Sequence, residues 1–455
     1  MPPRGVLVAT AAAMFMVQLD FFALNLALPP MAKDLGVSVD DLQWVISGYM
    51  LALAAFLIPG GRLGDVLGRR RMLIAGTALF MFASTVCGIA SSAGVIIGFR
   101  ILQGLGAAIM FPLCVAVVSN AFPTERRARA IGNLYGLAAI ATALGPFVGG
   151  LFTDALSWRW IFFLNLPLGA VAITALLRFV EESRDETVPR QLDWPGLAAV
   201  AVGISLVTLA VDRGQEWGWL GPRTIAACLA GLALLALFVA IEKRVRWPLV
   251  DLALFGNRPY VLVTLLGTIS NIAFVSATLA TTIYLQQVRG FSPIAAGSIF
   301  LACSAMVALT GPLAGRLGER FAVARVIPIS MAVGACGLVL VAVDPGLVAY
   351  IAGLAVFGLG YGLGWAIVSV GTQQVVPVEQ AGAASGVTLA VVVGLGGLGV
   401  AITAALIEAI TAGGTPEGTA IERILIGVAV GSVLLGGLLD LLARRHRAAT
   451  AVVLD

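Results

Sequence analysis

GGRLGDVLGRRRML occupies Gly60–Leu73, with about twenty apolar residues on either side of it. Asp65, four arginines and spaced glycines are packed into one short connector between two greasy runs. That pattern reads as a tight polar loop joining two membrane spans. The composition agrees. The chain of 455 residues is 60% hydrophobic and 11% charged, whereas a soluble domain carries roughly 25% charge. Its mean hydropathy is +1.01. So much apolar surface cannot be hidden in a water-soluble core, so lipid is the expected solvent.

A spanning helix needs about 20 apolar residues. Fourteen stretches qualify, at about 5–28, 42–60, 72–90, 93–118, 131–153, 160–180, 192–211, 223–241, 260–284, 294–314, 325–343, 347–371, 386–411 and 423–443. The first is too long for a signal-peptide core and lacks a convincing cleavage site, so it reads as a span. Even parity puts both ends on one side. With the N-terminus inside, only Lys33, Arg159, Arg213, Arg223, Arg289 and Arg423 lie outside. Positive charge marks the cytoplasmic side, so both termini are expected there.

Several functions are disfavoured at once. Cys87, Cys114, Cys228, Cys303 and Cys336 sit in apolar runs without paired spacing, and the lone histidine, His446, lies in a basic tail. Neither a disulfide framework nor a metal site is expected. The net charge of +4 comes from scattered arginines, so no nucleic-acid partner is expected. No nucleophile–base set or nucleotide loop appears, so no enzyme and no direct ATP drive are expected.

The chain repeats itself at a shift of 254 residues. GRLGD at Gly61–Asp65 recurs as GRLGE at Gly315–Glu319, and Gly104–Gly106 as Gly358–Gly360. Pro123 and Glu125 recur as Pro377 and Glu379. Two related six-helix bundles follow, as in carriers with a central site between halves. Charged connectors at Glu181–Asp193 and Glu242–Pro259 set off two extra spans. The expected organisation is 1–185 for the first bundle, 186–245 for the extra pair, and 246–455 for the second bundle and a short tail.

At this point the sequence resembles the major facilitator superfamily. The loop Gly61-x-Leu63-Gly64-Asp65-x-x-Gly68-Arg69-Arg70 is similar to that family's loop motif, with Val66 where an arginine is common. LDFFALNLALP (Leu19–Pro29), QWVISGYMLA (Gln43–Ala52), RILQGLGAAIMFP (Arg100–Pro112), ALGPFVGG (Ala143–Gly150) and SWRWIFFLNLP (Ser157–Pro167) resemble successive spans of its fourteen-span drug:proton antiporters. The resemblance implies an all-α integral membrane protein with the major facilitator fold: two six-helix bundles plus two extra helices. It implies a conformational latch at Gly61, Asp65, Gly68, Arg69 and Arg70, with Asp65 suited to capping a helix N-terminus. The second copy keeps Glu319 and Arg320 but has Ala322 and Val323, so that latch is degraded. The bland reading of the loop is an inside-positive anchor, which explains its arginines but not its Gly/Asp spacing. Gly145, Pro146, Gly149 and Gly150 fall on the antiporter motif. The implied role is a bendable interface; ordinary small-residue packing is the alternative.

Asp20 lies about 22 Å along the first span. A charge at that depth costs at least about 2–3 kcal/mol and is rarely idle. It is the expected proton acceptor, the alternative being a carboxylate satisfied locally. Arg100 is the other deep charge. It stays protonated and so tunes or holds a neighbour rather than carrying the proton, unless it snorkels to a helix end. Substrate-cavity candidates are Gln18, Asn25, Tyr49, Gln103, Asn271, Tyr284, Tyr361 and Trp365. Each alone reads as packing or interface belt ahead of ligand contact. The second bundle has acids only near span ends, so neutral or singly charged amphipathic substrates are expected.

Three functions are weighed. One is a proton-driven exporter of amphipathic small molecules, free of cofactors and monomeric, in a bacterial cytoplasmic membrane. The second is a dedicated exporter of one endogenous metabolite. The excess of arginine over Lys33 and Lys243 hints at a GC-rich, antibiotic-producing source. The third is a membrane sensor that transports nothing.

Overall fold

The structure is a computed structural model. It describes residues 3–24, 27–38, 42, 44–184, 193–246, 248–250, 252–343, 346–377 and 381–452. Among these residues there is no strand. Fourteen helices are long and apolar enough to cross a membrane. They are α1 (Pro3–Leu24), α2 (Trp44–Leu67), α3 (Arg69–Ile89), α4 (Ala93–Ala121), α5 (Thr124–Ala155) and α6, which runs as Arg159–Phe163 and Asn165–Phe179. Then follow α7 (Trp194–Asp212), α8 (Pro222–Glu242), α9 (Arg258–Ile283), α10 (Pro293–Arg320), α11 (Val323–Val343), α12 (Leu347–Val375), α13 (Ala381–Ala412) and α14 (Glu417–Val452).

Local sequence explains where several of these begin. In each of α7, α9 and α10 a proline near the start removes an N–H that would have had no partner there. The preceding Asp193, Asn257 and Ser292 accept from Gly196, Tyr260 and Ala295 N–H at 3.0, 3.3 and 3.3 Å. Pro167 has no N–H for the Phe163 carbonyl, which accounts for the break in α6 just after Phe163.

The chain divides into two compact units: Met1–Leu252 with Pro377–Ala390, and Ala253–Val376 with Val391–Asp455. The extra helices α7 and α8, set apart by the sequence, group with the first unit. Arg213 at the end of α7 lies 4.0 Å above the Trp44 ring of α2.

Glycines set the helix spacing inside each unit, and several fall in equivalent pairs along the repeat. A Cβ on Gly104 would stand 2.3 Å from the Tyr49 carbonyl oxygen; one on Gly358 would stand 2.4 Å from that of Cys303. Gly106 lies against Gly76 and Phe80, as Gly360 lies against Ser330 and Gly334. Gly145 meets Phe22, as Gly399 meets Ser276. Every pair is related by the same shift of 254 read from the sequence. With no hydrophobic force between helices in lipid, such close backbone approach is what packing provides.

Candidate functional site

Five helices of the first unit converge on Asp20. Arg100 and Gln103 lie one turn apart on α4, so both reach the same carboxylate on α1. Arg100 Nη1 donates to Asp20 Oδ2 at 2.6 Å and to Gln103 Oε1 at 2.8 Å. Gln103 Nε2 donates to Asp20 Oδ1 at 3.1 Å. Asn165 Nδ2, in the first turn after the α6 break, donates to the same oxygen at 2.6 Å and to Ser84 Oγ of α3 at 2.9 Å. Ser84 in turn donates to the Phe162 carbonyl at 2.8 Å. Arg100 Nε is tied to the Val45 carbonyl of α2 at 3.0 Å, and its guanidinium lies 4.2 Å over the Tyr49 ring.

The pair is dry: Asp20 is 2% exposed and Arg100 0%. Arg100 Nη2 and Tyr49 Oη are buried without a hydrogen-bond partner among the described residues. Arg100 is thus held by backbone and amide as well as by its counter-ion. Asp20 accepts from Arg100 and Gln103 of α4 and from Asn165 of α6. A proton reaching Asp20 removes one member of a buried ion pair and leaves the other in place.

The sequence placed Asp20 and Arg100 in spans but could not show that they touch. Asn165 and Ser84 were not singled out as site residues. Asn165 lay within a quoted motif, and a buried amide beside a helix break was the signal. Gln103 and Tyr49 belong to this network. Gln18 donates to Thr142 Oγ1 of α5 at 3.1 Å. In the second unit Asn271 donates to the Val392 carbonyl at 2.9 Å, Tyr361 Oη meets Ser432 Oγ at 2.6 Å, and Tyr284 stacks on Tyr350. Trp365 is half-buried. Asn25 lies outside the described residues.

The second unit answers the Asp20 site with carbon. At the shift of 254, Asp20, Arg100 and Gln103 become Phe274, Leu354 and Phe357. Phe274 and Phe357 stack with centroids 5.3 Å apart.

The Gly61–Arg70 stretch, expected as a loop, is the end of α2 and the start of α3 with only Gly68 between them, and it is built on buried charge. Asp65, in the last turns of α2, accepts from Arg69 Nε at 2.9 Å and pairs with Arg69 Nη2 at 2.8 Å. Gly61 and Gly64 are buried beside it. The carboxylate on the α3 N-terminus is Glu182, a residue the sequence did not single out. It accepts from Arg70 N–H and Arg71 N–H at 3.1 and 3.2 Å. Gly68 has φ +114°, and a Cβ there would come within 2.7 Å of Glu182 Oε1. Arg69 N–H donates to the Ser183 carbonyl at 2.8 Å, and Arg70 Nη2 to that of Leu177 at 2.9 Å. In the second copy Ala322 stands at the glycine position, and Arg316, Glu319 and Arg320 are exposed.

Gly145 and Gly149 of α5 press on α1; a Cβ on Gly149 would stand 2.0 Å from the Ala23 carbonyl oxygen. Gly150 is buried beside them. The Pro146 side chain lies outside the described residues. On the connector between α1 and α2, Asp34 accepts from Arg159 Nη1 at 2.5 Å and Trp158 Nε1 at 3.2 Å. The guanidinium first, and the indole N–H with it, hold this carboxyl below the usual carboxylate range. No group of three or more potential metal ligands occurs among the described residues.

Comparisons with known proteins agree with this architecture. Residues 10–401 match the family model described as Major Facilitator Superfamily. The chain is 36% identical over 386 residues to the multidrug resistance protein Stp of Mycobacterium tuberculosis, covering 84% of this chain and 71% of that one. It is 32% identical over 414 residues to the tetracenomycin C resistance and export protein of Streptomyces glaucescens, covering 89% and 76%. In fold it is similar to the proton:xylose symporter XylE, with a TM-score of 0.66 at 13% identity over 95% of this chain and 94% of that one. With the family model spanning most of its length and its fourteen helices in place, the chain belongs to the Major Facilitator Superfamily and is a multi-pass membrane transporter.

Proposed function

We propose that this transporter exports amphipathic small molecules in exchange for protons, by alternating access. The observation that carries the reading is Asp20: an acid 2% exposed, paired with Arg100 and bonded to side chains of α4 and α6. Protonation of Asp20 discharges that pair and frees Arg100 Nη1 for Gln103 alone. Bonds that hold α1 to α4 and α6 then loosen together. Asp20 is the proton acceptor and Arg100 its fixed counter-charge. Arg69, Arg70, Gly61, Gly68 and Asp65 act as the latch of one conformational state, with Glu319 and Arg320 a weaker remnant. Gly145, Pro146, Gly149 and Gly150 form a bendable contact. The proton gradient supplies the drive, with no cofactor. The protein acts as a monomer with both termini in the cytoplasm, in a bacterial cytoplasmic membrane. The names of its Mycobacterium relatives, a multidrug resistance protein and a drug efflux pump, support a broad substrate range.

A second reading is favoured by the Streptomyces relative, whose name gives it one antibiotic to export. Growth protection separates the two. A broad exporter protects cells against unrelated toxic compounds, a dedicated one against a single chemical class. For the main reading the test is efflux from proteoliposomes under an imposed pH gradient. Asp20→Asn is expected to abolish gradient-driven transport while leaving the protein folded. Full gradient-driven transport by that variant removes the proton assignment.

A further inference from the structure

A pair of carboxylates lies away from Asp20, where α7 begins and α8 ends. Asp193 caps α7 with Oδ1, leaving Oδ2 buried and without a partner among the described residues. Glu242 closes α8 and is 4% exposed. Its Oε2 accepts from Val250 N–H at 3.0 Å, while its Oε1 is likewise buried and unpartnered among the described residues.

The two orphan oxygens face the same point. A Cβ on Gly196 would stand 2.3 Å from Asp193 Oδ2 and 3.0 Å from Glu242 Oε1. They are therefore no farther apart than the sum of those distances. The charged groups acting on Glu242 are Asp193 on α7 and Arg62 on α2; the segment after α8 adds the backbone N–H groups of Leu249 and Val250. Two ionised carboxylates this close, with the facing oxygens buried, repel one another. One proton kept by the pair removes the like-charge repulsion and gives the site an O–H donor.

We propose that Asp193 and Glu242 hold one proton between Glu242 Oε1 and Asp193 Oδ2, as a protonation site distinct from Asp20. Its place gives it a role. It joins the start of α7 to the end of α8, and its neighbour Arg62 lies on α2 in the Gly61–Arg70 motif. Release of the proton leaves two like charges beside Arg62 and loosens the α7–α8 junction. The extra helix pair thereby passes the pH at that end of the unit to that motif. The site does not depend on the transport reading.

The test uses the full chain in lipid nanodiscs. Infrared difference spectra across a pH titration are expected to show the carbonyl stretch of a protonated carboxyl. That band persists in Asp20→Asn and is lost at the same pH in Glu242→Gln and in Asp193→Asn. Both of the last two replacements keep the backbone bonds of the original side chains and supply an N–H to the facing oxygen. The wild-type Tm is expected to fall as pH rises through the titration of the pair, while the Glu242→Gln profile stays flat. A band untouched by Glu242→Gln and Asp193→Asn overturns the proposal. So does a rise in wild-type Tm with added Mg2+ or Ca2+ that Glu242→Gln abolishes, because the oxygens then hold a metal cation instead.

Discussion

Arg100 is the residue on which the Asp20 site turns, because it is tied to three partners that only a guanidinium can reach together. Its Nε holds Val45 and its Nη1 holds Asp20 and Gln103. A lysine has no planar fork and cannot reproduce that set. Removing one partner of a buried ion pair costs about 3–5 kcal/mol, whereas replacing both is far milder. Arg100→Leu is therefore expected to lower stability steeply. Asp20→Asn combined with Arg100→Leu is expected to recover most of it without recovering transport. Thermal unfolding of the purified variants checks this, and a double variant no more stable than Arg100→Leu contradicts it. Asn165 is a milder case. Asn165→Leu leaves Asp20 Oδ1 with Gln103 alone and strips Ser84 of a donor, at a cost of about 1–3 kcal/mol in the same assay.

Helix contacts make a different kind of demand, on volume rather than charge. Gly104 on α4 and Gly358 on α12 meet a facing carbonyl oxygen at 2.3 and 2.4 Å from where a Cβ would sit. Gly104→Ala and Gly358→Ala are expected to destabilise by similar amounts, about 1–3 kcal/mol each, since overpacking forces backbones apart. Gly394 on α13 and Gly437 on α14 have nothing within 4 Å, so alanine there is expected to be neutral or stabilising by up to about 1 kcal/mol. Tm measurements on the four variants rank them, and equal effects at all four contradict the packing account. At the start of α3, Glu182→Ala removes the acceptor for two free backbone N–H groups and is expected to cost about 0.5–2 kcal/mol. The Asp34–Arg159 contact acts on the acid side only. The folded carboxyl titrates below its unfolded value, so the stability it lends is present above about pH 4 and lost as pH falls through the folded pKa. The pair is largely exposed, so its contribution is under about 1 kcal/mol, and Asp34→Asn should flatten the acid limb only slightly.

For the molecule as a whole, the contrast between the units predicts the energetics of exchange. Asp20 and Gln103 meet in the first unit, while the matching positions of the second hold stacked Phe274 and Phe357. One proton exchanged for a monocation moves no net charge, so only the pH gradient drives it, at about 1.4 kcal/mol per unit. A neutral substrate also draws on voltage, at roughly 2.3 kcal/mol per 100 mV. Flux in proteoliposomes is expected to respond to valinomycin-clamped voltage for neutral substrates and not for monocations. Lipid as solvent demands long, apolar, self-satisfied helices, and that demand is written residue by residue. The fourteen helices, the repeat and the place of Asp20 within a span were therefore legible in the sequence alone. Gly104–Gly106 and Gly358–Gly360, matched by the shift of 254, sit at equivalent helix contacts in the two units. Partnership across helices was not legible, because it depends on rotation about each helix axis and on which side chains converge. Only the tertiary structure joined Asp20 to Arg100 and Asn165, put Glu182 on the α3 N-terminus, and grouped α7 and α8 with the first unit. Each of those is settled by a few ångströms between elements distant in the chain, a distance that hydropathy and spacing do not encode.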